Sequence, residues 1–183
     1  MLITEEHEHK TIVIDSLDWL ERMIWHDVAE QHGKESIEDF GYGKGYVICL
    51  DAWRRLLDGL DMAREKRGME AILIAHSHVE RFTPPDLESY DRYAPKLNKH
   101  ASALLQEWAD EVLFVNYSVH TTKQDEGFGR KRARGVSDGE RVLFTAERAT
   151  HVAKNRLGLP AELPFDQEAY QAAITEAFEN SPF

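Results

Sequence analysis

Three short runs of β-branched and apolar residues constrain the fold of this chain most. They cover residues 11–15, 71–75 and 112–115, and none alternates polar with apolar side chains. Runs of this kind are typical of a parallel sheet that is buried on both faces. Amphipathic segments at residues 47–67 and 96–108 separate them and predict helices. The order strand, helix, strand, helix, strand predicts an α/β fold.

The pattern changes after residue 117. Residues 141–145 and 150–154 lie close together and predict two antiparallel strands. The polar stretch 121–139 holds four glycines and predicts a mobile loop or a hairpin tip. Two adjacent prolines and several acids in residues 81–95 predict an irregular loop. A last helix is expected from about residue 166 to 178.

Composition limits the classes of protein to which the chain can belong. Its 183 residues favour one domain, and its net charge of −11 argues against non-specific binding to nucleic acid or to an anionic membrane. A single cysteine, Cys49, excludes an internal disulfide and a cysteine zinc cluster. The longest apolar runs are too short to cross a bilayer, and the charged first ten residues do not resemble a signal peptide. We therefore expect a cytoplasmic protein without a membrane partner.

Polar side chains follow the first two predicted strands. Asp15 and Ser16 end the first strand, and His76 and Ser77 follow the second. Open α/β sheets bind ligands at the carboxyl ends of their strands. An aspartate there can hold the magnesium ion of a bound nucleotide, and a polar side chain on the next strand can sense its γ-phosphate. The alternative is structural, with Asp15 or Ser16 capping a helix and His76 hydrogen-bonded at a strand end.

Lys154 and Arg156 stand two residues apart near the end of the second half. In an extended chain both would project from one face towards a single target. Two cations that converge on a phosphoryl group are typical of an arginine finger, which a neighbouring subunit can supply. A solvated strand end is the alternative.

No phosphate-binding loop is found among these residues. Residues 41–45 read Gly-Tyr-Gly-Lys-Gly, but Tyr46 stands where the loop needs glycine. A flexible turn at the start of the long helix is the better interpretation. A separate basic cluster could contact the phosphates of single-stranded DNA, or be a solvated tip; it consists of Arg130, Lys131, Arg132 and Arg134.

The order of these features resembles RecA-type ATPases. Residues 96–114 resemble a helix and strand of DnaB-type replicative helicases, and Ala-Lys-Asn-Arg at 153–156 resembles the helicase segment that reaches the next subunit's nucleotide. Five blocks resemble phage RecA-like ATP-binding proteins of the Sak annealing and recombination group, and together they span residues 11–173: TIVIDSLDWLER, SIEDFGYGKGY, ILIAHSHVERF, YDRYAPKLNKHASALLQEWADEVLF and AKNRLGLPAELPFD.

The resemblance implies a RecA-like P-loop NTPase core, with a mostly parallel three-layer sheet and a C-terminal antiparallel hairpin. Residues 11–116 would form the parallel part, 117–157 the hairpin region and 158–183 a tail helix, all in one partial domain over residues 1–183. The implied cofactors are ATP and magnesium. The implied roles are Asp15 as the magnesium ligand, with Ser16 and Ser77 beside the nucleotide, His76 as the phosphate sensor, and Lys154 with Arg156 as fingers acting on a neighbour.

The chain departs from the family at its start. Family members carry the P-loop and a catalytic glutamate on strands upstream of the Asp15 strand, and here ten residues precede that strand. We therefore expect a fragment without the P-loop strand and helix, one that does not hydrolyse ATP alone. The second and third predicted strands must then pair directly, or residues 1–10 or another chain must fill the gap.

Three hypotheses about function stay open. In the first, the chain is such a phage-type ATP-binding protein for DNA recombination or single-strand annealing, in a bacterial host or phage-infected cell, which self-associates or joins an intact ATPase subunit. In the second, it is a non-enzymatic module that docks on an intact ATPase or on single-stranded DNA. In the third, it is a metal-dependent hydrolase that uses Asp15, Asp18, His76 and His78.

Overall fold

The computed structural model of the chain describes residues 2–125 and 131–180, with only the backbone for residues 119–125 and 131–138. It divides into two compact units, Met1–Trp108 and Ala109–Phe183. The single domain expected over residues 1–183 stays a prediction. In the parts of the chain that are described, no helix is long and apolar enough to cross a membrane.

The first unit contains the predicted strands and helices of the N-terminal half. Its elements are β1 (Thr11–Asp15), α1 (Leu17–Gln31), a 3-10 turn (Ile37–Phe40), α2 (Lys44–Ile48), α3 (Leu50–Arg67), β2 (Glu70–Ile74), β3 (Ser77–Phe82), β4 (Tyr90–Pro95) and α4 (Lys99–Trp108). The predicted long helix at 47–67 is divided at Cys49 into α2 and α3. Gly68 ends α3 in a left-handed conformation, as its position in the sequence predicts.

β1 and β2 form a parallel sheet in which Thr11 lies opposite Glu70 and Asp15 opposite Ile74. One face of this sheet packs on the core of the unit. Ile12 and Ile14 of β1 contact that core together with Ala71 and Leu73 of β2. The buried centre of the core comes from helices: Leu17, Trp53, Leu57, Leu60, Ala101 and Leu105.

The other face of the β1–β2 sheet is bare. Val13, Ile72 and Ile74 point to that face and are 55%, 48% and 42% exposed. Parallel sheets in globular proteins are normally covered on both faces. Among the described residues of the first unit, Val13, Ile72 and Ile74 therefore form an apolar surface, here called the bare sheet face, that a fully covered parallel sheet would bury.

The turn at residues 41–45 opens α2 as the sequence predicts. Gly41 and Gly43 adopt positive φ angles of 68° and 69°, and α2 begins at Lys44. Gly45 lies against the 3-10 turn, where a Cβ atom would be 2.5 Å from the carbonyl oxygen of Ile37. The glycines of this segment serve backbone conformation and close packing.

Residues 81–95 were predicted to form an irregular loop, and that prediction was wrong. β3 and β4 pair as an antiparallel hairpin from Ser77 opposite Pro95 to Phe82 opposite Tyr90. The two adjacent prolines lie in the connecting loop, where no ladder hydrogen bond is needed. Aromatic and charged side chains support the pairing, since the Arg92 guanidinium lies 3.8 Å from the centre of the Phe82 ring and bonds Glu80 at 2.9 Å.

The second unit is built from antiparallel pairs. Its elements are β5 (Glu111–Val112), β6 (Phe114–Asp125), β7 (Lys131–Phe144), β8 (Lys154–Asn155), β9 (Glu162–Pro164) and α5 (Gln167–Glu179). β7 lies between β6 and β9, and β5 pairs with β8. The aromatic ring of buried His151 packs against Phe114 and Phe144, with ring centres 5.0 and 4.7 Å away.

Two predictions about this unit need correction. Residues 112–115 are not a third parallel strand, because they divide between β5 and β6, which both pair antiparallel. Residues 141–145 do not pair with 150–154, since both edges of β7 are taken by β6 and β9. An apolar run indicates a strand, but its direction depends on the partner that completes its hydrogen bonds. The predicted last helix is present as α5, with Asp166 as its N-cap.

Candidate functional site

The polar residues predicted from the sequence meet at one edge of the β1–β2 sheet. Asp15 is the last residue of β1, and its parallel partner Ile74 is the last residue of β2. His76 follows two residues later, just before β3 begins at Ser77. Because parallel strands end at the same edge, Asp15 and His76 lie on the side where α/β sheets bind ligands.

Asp15 has an exposed side chain. The peptide bond that joins it to Ser16 is cis. Ser16 is buried at the N-cap position of α1, but its side chain makes no capping hydrogen bond. The alternative that the Ser16 side chain caps α1 is therefore not observed. The Asp15 carboxylate faces solvent.

His76 is held by Asp18 of α1. Its ring Nδ1 donates to both oxygens of the Asp18 carboxylate, at 3.0 and 3.1 Å, and its backbone N–H donates to one of them at 3.4 Å. The Asp18 side chain is 9% exposed, whereas that of His76 is 65% exposed. The ring is thus anchored on its inner side and open to solvent on its outer side.

The pKa of Asp18 is shifted well below its ordinary value. Burial acts to raise this pKa, but the nearby polar groups of Ser16 and His76, among them the His76 ring and backbone N–H groups that bond the carboxylate, more than reverse the effect. The carboxylate is therefore charged throughout the physiological pH range. A buried anion that is fixed in this way sets both the orientation of the His76 ring and the position of its backbone.

Glu21, one turn further along α1, is a second buried acid. Both of its carboxylate oxygens accept the backbone N–H of Asn98 at 3.0 Å. Burial raises the pKa of Glu21, with a further contribution from the negative charge of Asp18. Asn98 in turn accepts the N–H of His100 at the start of α4. Glu21 thereby joins α1 to the chain segment that begins α4.

Together the two acids hold the base of the β3–β4 hairpin, the end at which the chain enters and leaves it. Asp18 binds His76 just before β3, Glu21 binds Asn98 just after β4, and the Lys96 N–H donates to the His76 carbonyl at 2.7 Å. The sequence reasoning gave Asp18 a role only in the metal hypothesis and missed Glu21. The available signal was the presence of two acids on the apolar face of α1, beside Leu17 and Leu20.

The third hypothesis needs a cluster of metal ligands. Within the described residues, no group of three or more histidines, cysteines or acids is close enough to hold a metal ion. The Asp18 carboxylate is bound to His76, and His78 lies in β3, beyond Ser77. The side chains of Asp15, Asp18, His76 and His78 therefore do not supply the closed ligand set of a protein-only metal site.

In the second unit, Lys154 and Arg156 contact neighbouring residues of one segment. The Lys154 Nζ donates to the Ala109 carbonyl at 2.6 Å. The Arg156 guanidinium bonds the Asp110 carboxylate at 3.0 Å, and its backbone N–H donates to the Asp110 carbonyl. The two side chains bind different groups, the Ala109 carbonyl and the Asp110 carboxylate, so the predicted convergence of both cations on a single target stays a prediction. Their action on a neighbouring subunit stays a prediction.

The basic cluster is only partly described. Lys131, Arg132 and Arg134 belong to the backbone of β7, opposite the end of β6, and Arg130 lies outside the described residues. β6 and β7 form an antiparallel hairpin whose strands reach Asp125 and Lys131, so they extend into the stretch 121–139 that was predicted to be a mobile loop or a hairpin tip. Contact of the cluster with DNA stays a prediction.

Comparison with known proteins decides the family. A family model described as an AAA domain matches residues 2–157. The chain belongs to this AAA-domain family. Searches of curated proteins and of solved structures found no match.

Membership of the AAA family indicates the general activity of the domain. An AAA domain is a nucleotide-binding, ATPase-like domain, and such domains typically bind ATP with magnesium. The α/β architecture of the first unit agrees with this assignment. The match covers Asp15, His76, Lys154 and Arg156, so every catalytic candidate lies inside the AAA region.

Proposed function

We propose that this AAA domain is a RecA-like ATP-binding protein of phage type that acts in DNA recombination or single-strand annealing, in the cytoplasm of a bacterial host or phage-infected cell. One observation carries the proposal. An exposed Asp15 ends a parallel strand at the same sheet edge as His76, which a buried Asp18 anchors. In α/β nucleotide-binding proteins this is the edge that meets the phosphates.

The residues at this edge fit a magnesium nucleotide. Magnesium is usually bound by one or two carboxylates together with waters and substrate phosphates, so a lone exposed Asp15 suffices. When bound, the ion would neutralise phosphate charge. We assign Asp15 to the metal, and Ser16 and Ser77 to the surroundings of the nucleotide.

His76 is suited to read the terminal phosphate. The Asp18 carboxylate accepts a hydrogen bond from Nδ1–H, which leaves Nε2 on the exposed side of the ring. Protonated imidazole can donate from that atom to a phosphate oxygen. The His76 backbone N–H donates to Asp18, and its carbonyl accepts the Lys96 N–H. A contact made by the ring would therefore also affect the base of the β3–β4 hairpin.

Other parts of the chain would act between subunits and on DNA. We assign Lys154 and Arg156 to the nucleotide of a neighbouring copy or of an intact ATPase subunit, which requires exchange of their internal partners Ala109 and Asp110. Contact with single-stranded DNA is assigned to the basic cluster, which consists of Arg130, Lys131, Arg132 and Arg134.

The phosphate-binding loop is proposed to come from polypeptide outside residues 1–183. The bare sheet face favours this, because a further strand and helix beside β1 and β2 would cover Val13, Ile72 and Ile74. The loop would then follow a strand that ends at the same edge as Asp15. Residues 1–183 alone should bind magnesium nucleotide weakly and should not hydrolyse it.

Binding of a fluorescent ATP analogue to the purified chain tests the proposal. We expect weak binding that depends on magnesium and is lost in Asp15→Asn. The matched control is Asp58→Asn, which removes an exposed carboxylate from α3. Binding that is independent of both magnesium and Asp15 would contradict the metal assignment. ATP turnover by the chain alone that Asp15→Ala abolishes would contradict an external phosphate loop.

The bare sheet face also favours the second candidate, a non-enzymatic module that docks on an intact ATPase or on single-stranded DNA. A docking partner would cover the apolar side chains Val13 and Ile72. We expect such a module to change the turnover of an intact RecA-like ATPase when the two are mixed, and Val13→Lys to weaken the effect. Unchanged turnover without co-elution would count against this candidate.

A further inference from the structure

The outer face of α1 carries an apolar patch that the nucleotide site does not use. Trp19 and Met23 stand one turn apart on this face and are 60% and 68% exposed. They line a shallow hollow with Arg22, His26 and Asp27, and these five residues are here called the α1 patch. The opposite side of α1 packs on the core through Leu17 and Ile24. Two large exposed side chains on an otherwise well-packed helix indicate a contact surface.

The charged side chains of the α1 patch find no opposite charge among the residues that the structure describes. The Arg22 guanidinium lies 4.9 Å from the centre of the Trp19 ring, and it forms no ion pair with any carboxylate of the described residues. Asp27 accepts a hydrogen bond from Gln31 through one oxygen, at 2.7 Å, and its other oxygen has no partner among those residues. The patch thus offers one cation and one anion to an outside partner.

Position along the helix shows which partner these charges fit. Trp19, Met23 and His26 follow one another at spacings of four and three, which is the spacing of the contact seam between two parallel helices. Arg22 and Asp27 flank this seam on opposite sides and are five residues apart. In a parallel pair of helices, flanking residues five apart meet across the interface.

We propose that the α1 patch binds the α1 patch of a second copy of this chain, with the two helices parallel about a two-fold axis. Trp19 and Met23 then meet their counterparts, and Arg22 of each copy pairs with Asp27 of the other. Both ion pairs form at once because the interface is symmetric. Nucleic acid is a poorer partner, since Asp27 and Glu30 would repel phosphates next to Arg22.

The size of the patch predicts a weak, reversible dimer. The seam is apolar over only two turns, and Glu30 of each copy would approach the other at its far end. A contact of this kind buries less than the roughly 800 Å² per partner of a stable complex. We expect a dissociation constant on the order of 10 to 100 μM.

Sedimentation velocity of the purified chain, from about 5 to about 500 μM, tests the dimer across that range. Arg22→Asp and Asp27→Arg should each raise the dissociation constant at least about tenfold, because each reverses one charge of both ion pairs. Arg55→Asp is the matched control, as it makes the same charge change at an exposed position of α3. The tryptophan fluorescence of each variant verifies that it is folded.

Charge exchange distinguishes this interface from any other. A mixture of the Arg22→Asp chain and the Asp27→Arg chain should form a heterodimer of near wild-type strength. In that heterodimer the two substituted side chains, at positions 22 and 27, form one ion pair, and the unchanged Asp27 and Arg22 form the other. The double variant should likewise regain the homodimer. A wild-type chain that stays monomeric, a dimer that neither variant weakens, or a mixture that fails to associate would each overturn the proposal.

Discussion

Replacement of Asp18 by Asn tests whether a buried charge organises the sheet edge at Asp15 and His76. The variant keeps the size of the side chain and one acceptor oxygen but removes the negative charge. In the wild type this charge accepts the His76 ring N–H at 3.0 Å and the His76 backbone N–H at 3.4 Å. The structural question is how much of the unfolding free energy depends on it.

The expected loss is modest because His76 is largely exposed. Hydrogen bonds to a charged group contribute about 1.5–3 kcal/mol each when both partners are buried. The His76 ring is 65% exposed, so water offsets much of its share. The introduced amide can still accept one of the two N–H groups. We therefore expect the Asp18→Asn variant to lose about 1–2 kcal/mol of unfolding free energy at pH 7.

The loss should depend on pH in one direction. In the folded chain the pKa of Asp18 lies below its ordinary value of 3.8, because the polar groups of Ser16 and His76 exceed the opposing effect of burial. An acid of this kind stabilises the fold above its unfolded pKa and ceases to do so as pH falls through the folded pKa. The difference between wild type and variant should therefore be full above about pH 5 and shrink towards about pH 3.

Urea unfolding followed by tryptophan fluorescence measures this difference. All four tryptophans, Trp19, Trp25, Trp53 and Trp108, lie in the first unit, so the signal reports only that unit. Asp58→Asn is the control for removal of an exposed carboxylate. Equal stability of wild type and variant at pH 7, or an undiminished difference at pH 3, would refute the reasoning.

Three further predictions concern packing and titration. Gly45→Ala should destabilise the first unit by at least about 1–3 kcal/mol in the same urea assay, because its Cβ would lie 2.5 Å from the Ile37 carbonyl oxygen; an unchanged midpoint would show that the backbone yields. Burial raises the pKa of the Cys49 thiol to about 11, so Ellman's reagent should modify it only on unfolding, and rapid labelling of the folded chain would contradict this. Burial lowers the pKa of His151 below its ordinary 6.5, so the unfolded state takes up its proton first and the second unit should lose stability as pH falls below about 6.5; amide exchange of β7 should reveal this, and His151→Gln should abolish it.

The sequence predicted what local patterns determine. β1 and β2 follow from continuous apolar runs, α3 follows from its amphipathic pattern and from Gly68, and the position of Asp15 and His76 follows from where those strands end. Strand partners could not be predicted in this way. Residues 112–115 look like a buried strand, yet they pair antiparallel with distant segments that the run itself does not specify.

Buried polar contacts could not be predicted from the pattern of apolar and polar residues either. Glu21 looks like any acid of an amphipathic helix until its partner, the backbone N–H of Asn98, is known, and that partner lies 77 residues away. The same holds for Asp18 and His76, which stand 58 residues apart. The hairpin of β3 and β4 was not predicted because its two adjacent prolines indicate a loop. That signal was stronger than the alternation of exposed and half-buried residues along the two strands.

The internal partners of Lys154 and Arg156 have a consequence for any assembly that uses them. Lys154 already binds Ala109 and Arg156 already binds Asp110. To contact a neighbouring subunit, each cation must break this internal hydrogen bond first, whereas a solvated cation would only give up water. The affinity for the neighbour is then the affinity of the released cations multiplied by the fraction of time in which they are released. A neighbour that offers phosphate charge competes better with Asp110 than one that does not, so assembly would respond to whether the adjoining nucleotide site is filled.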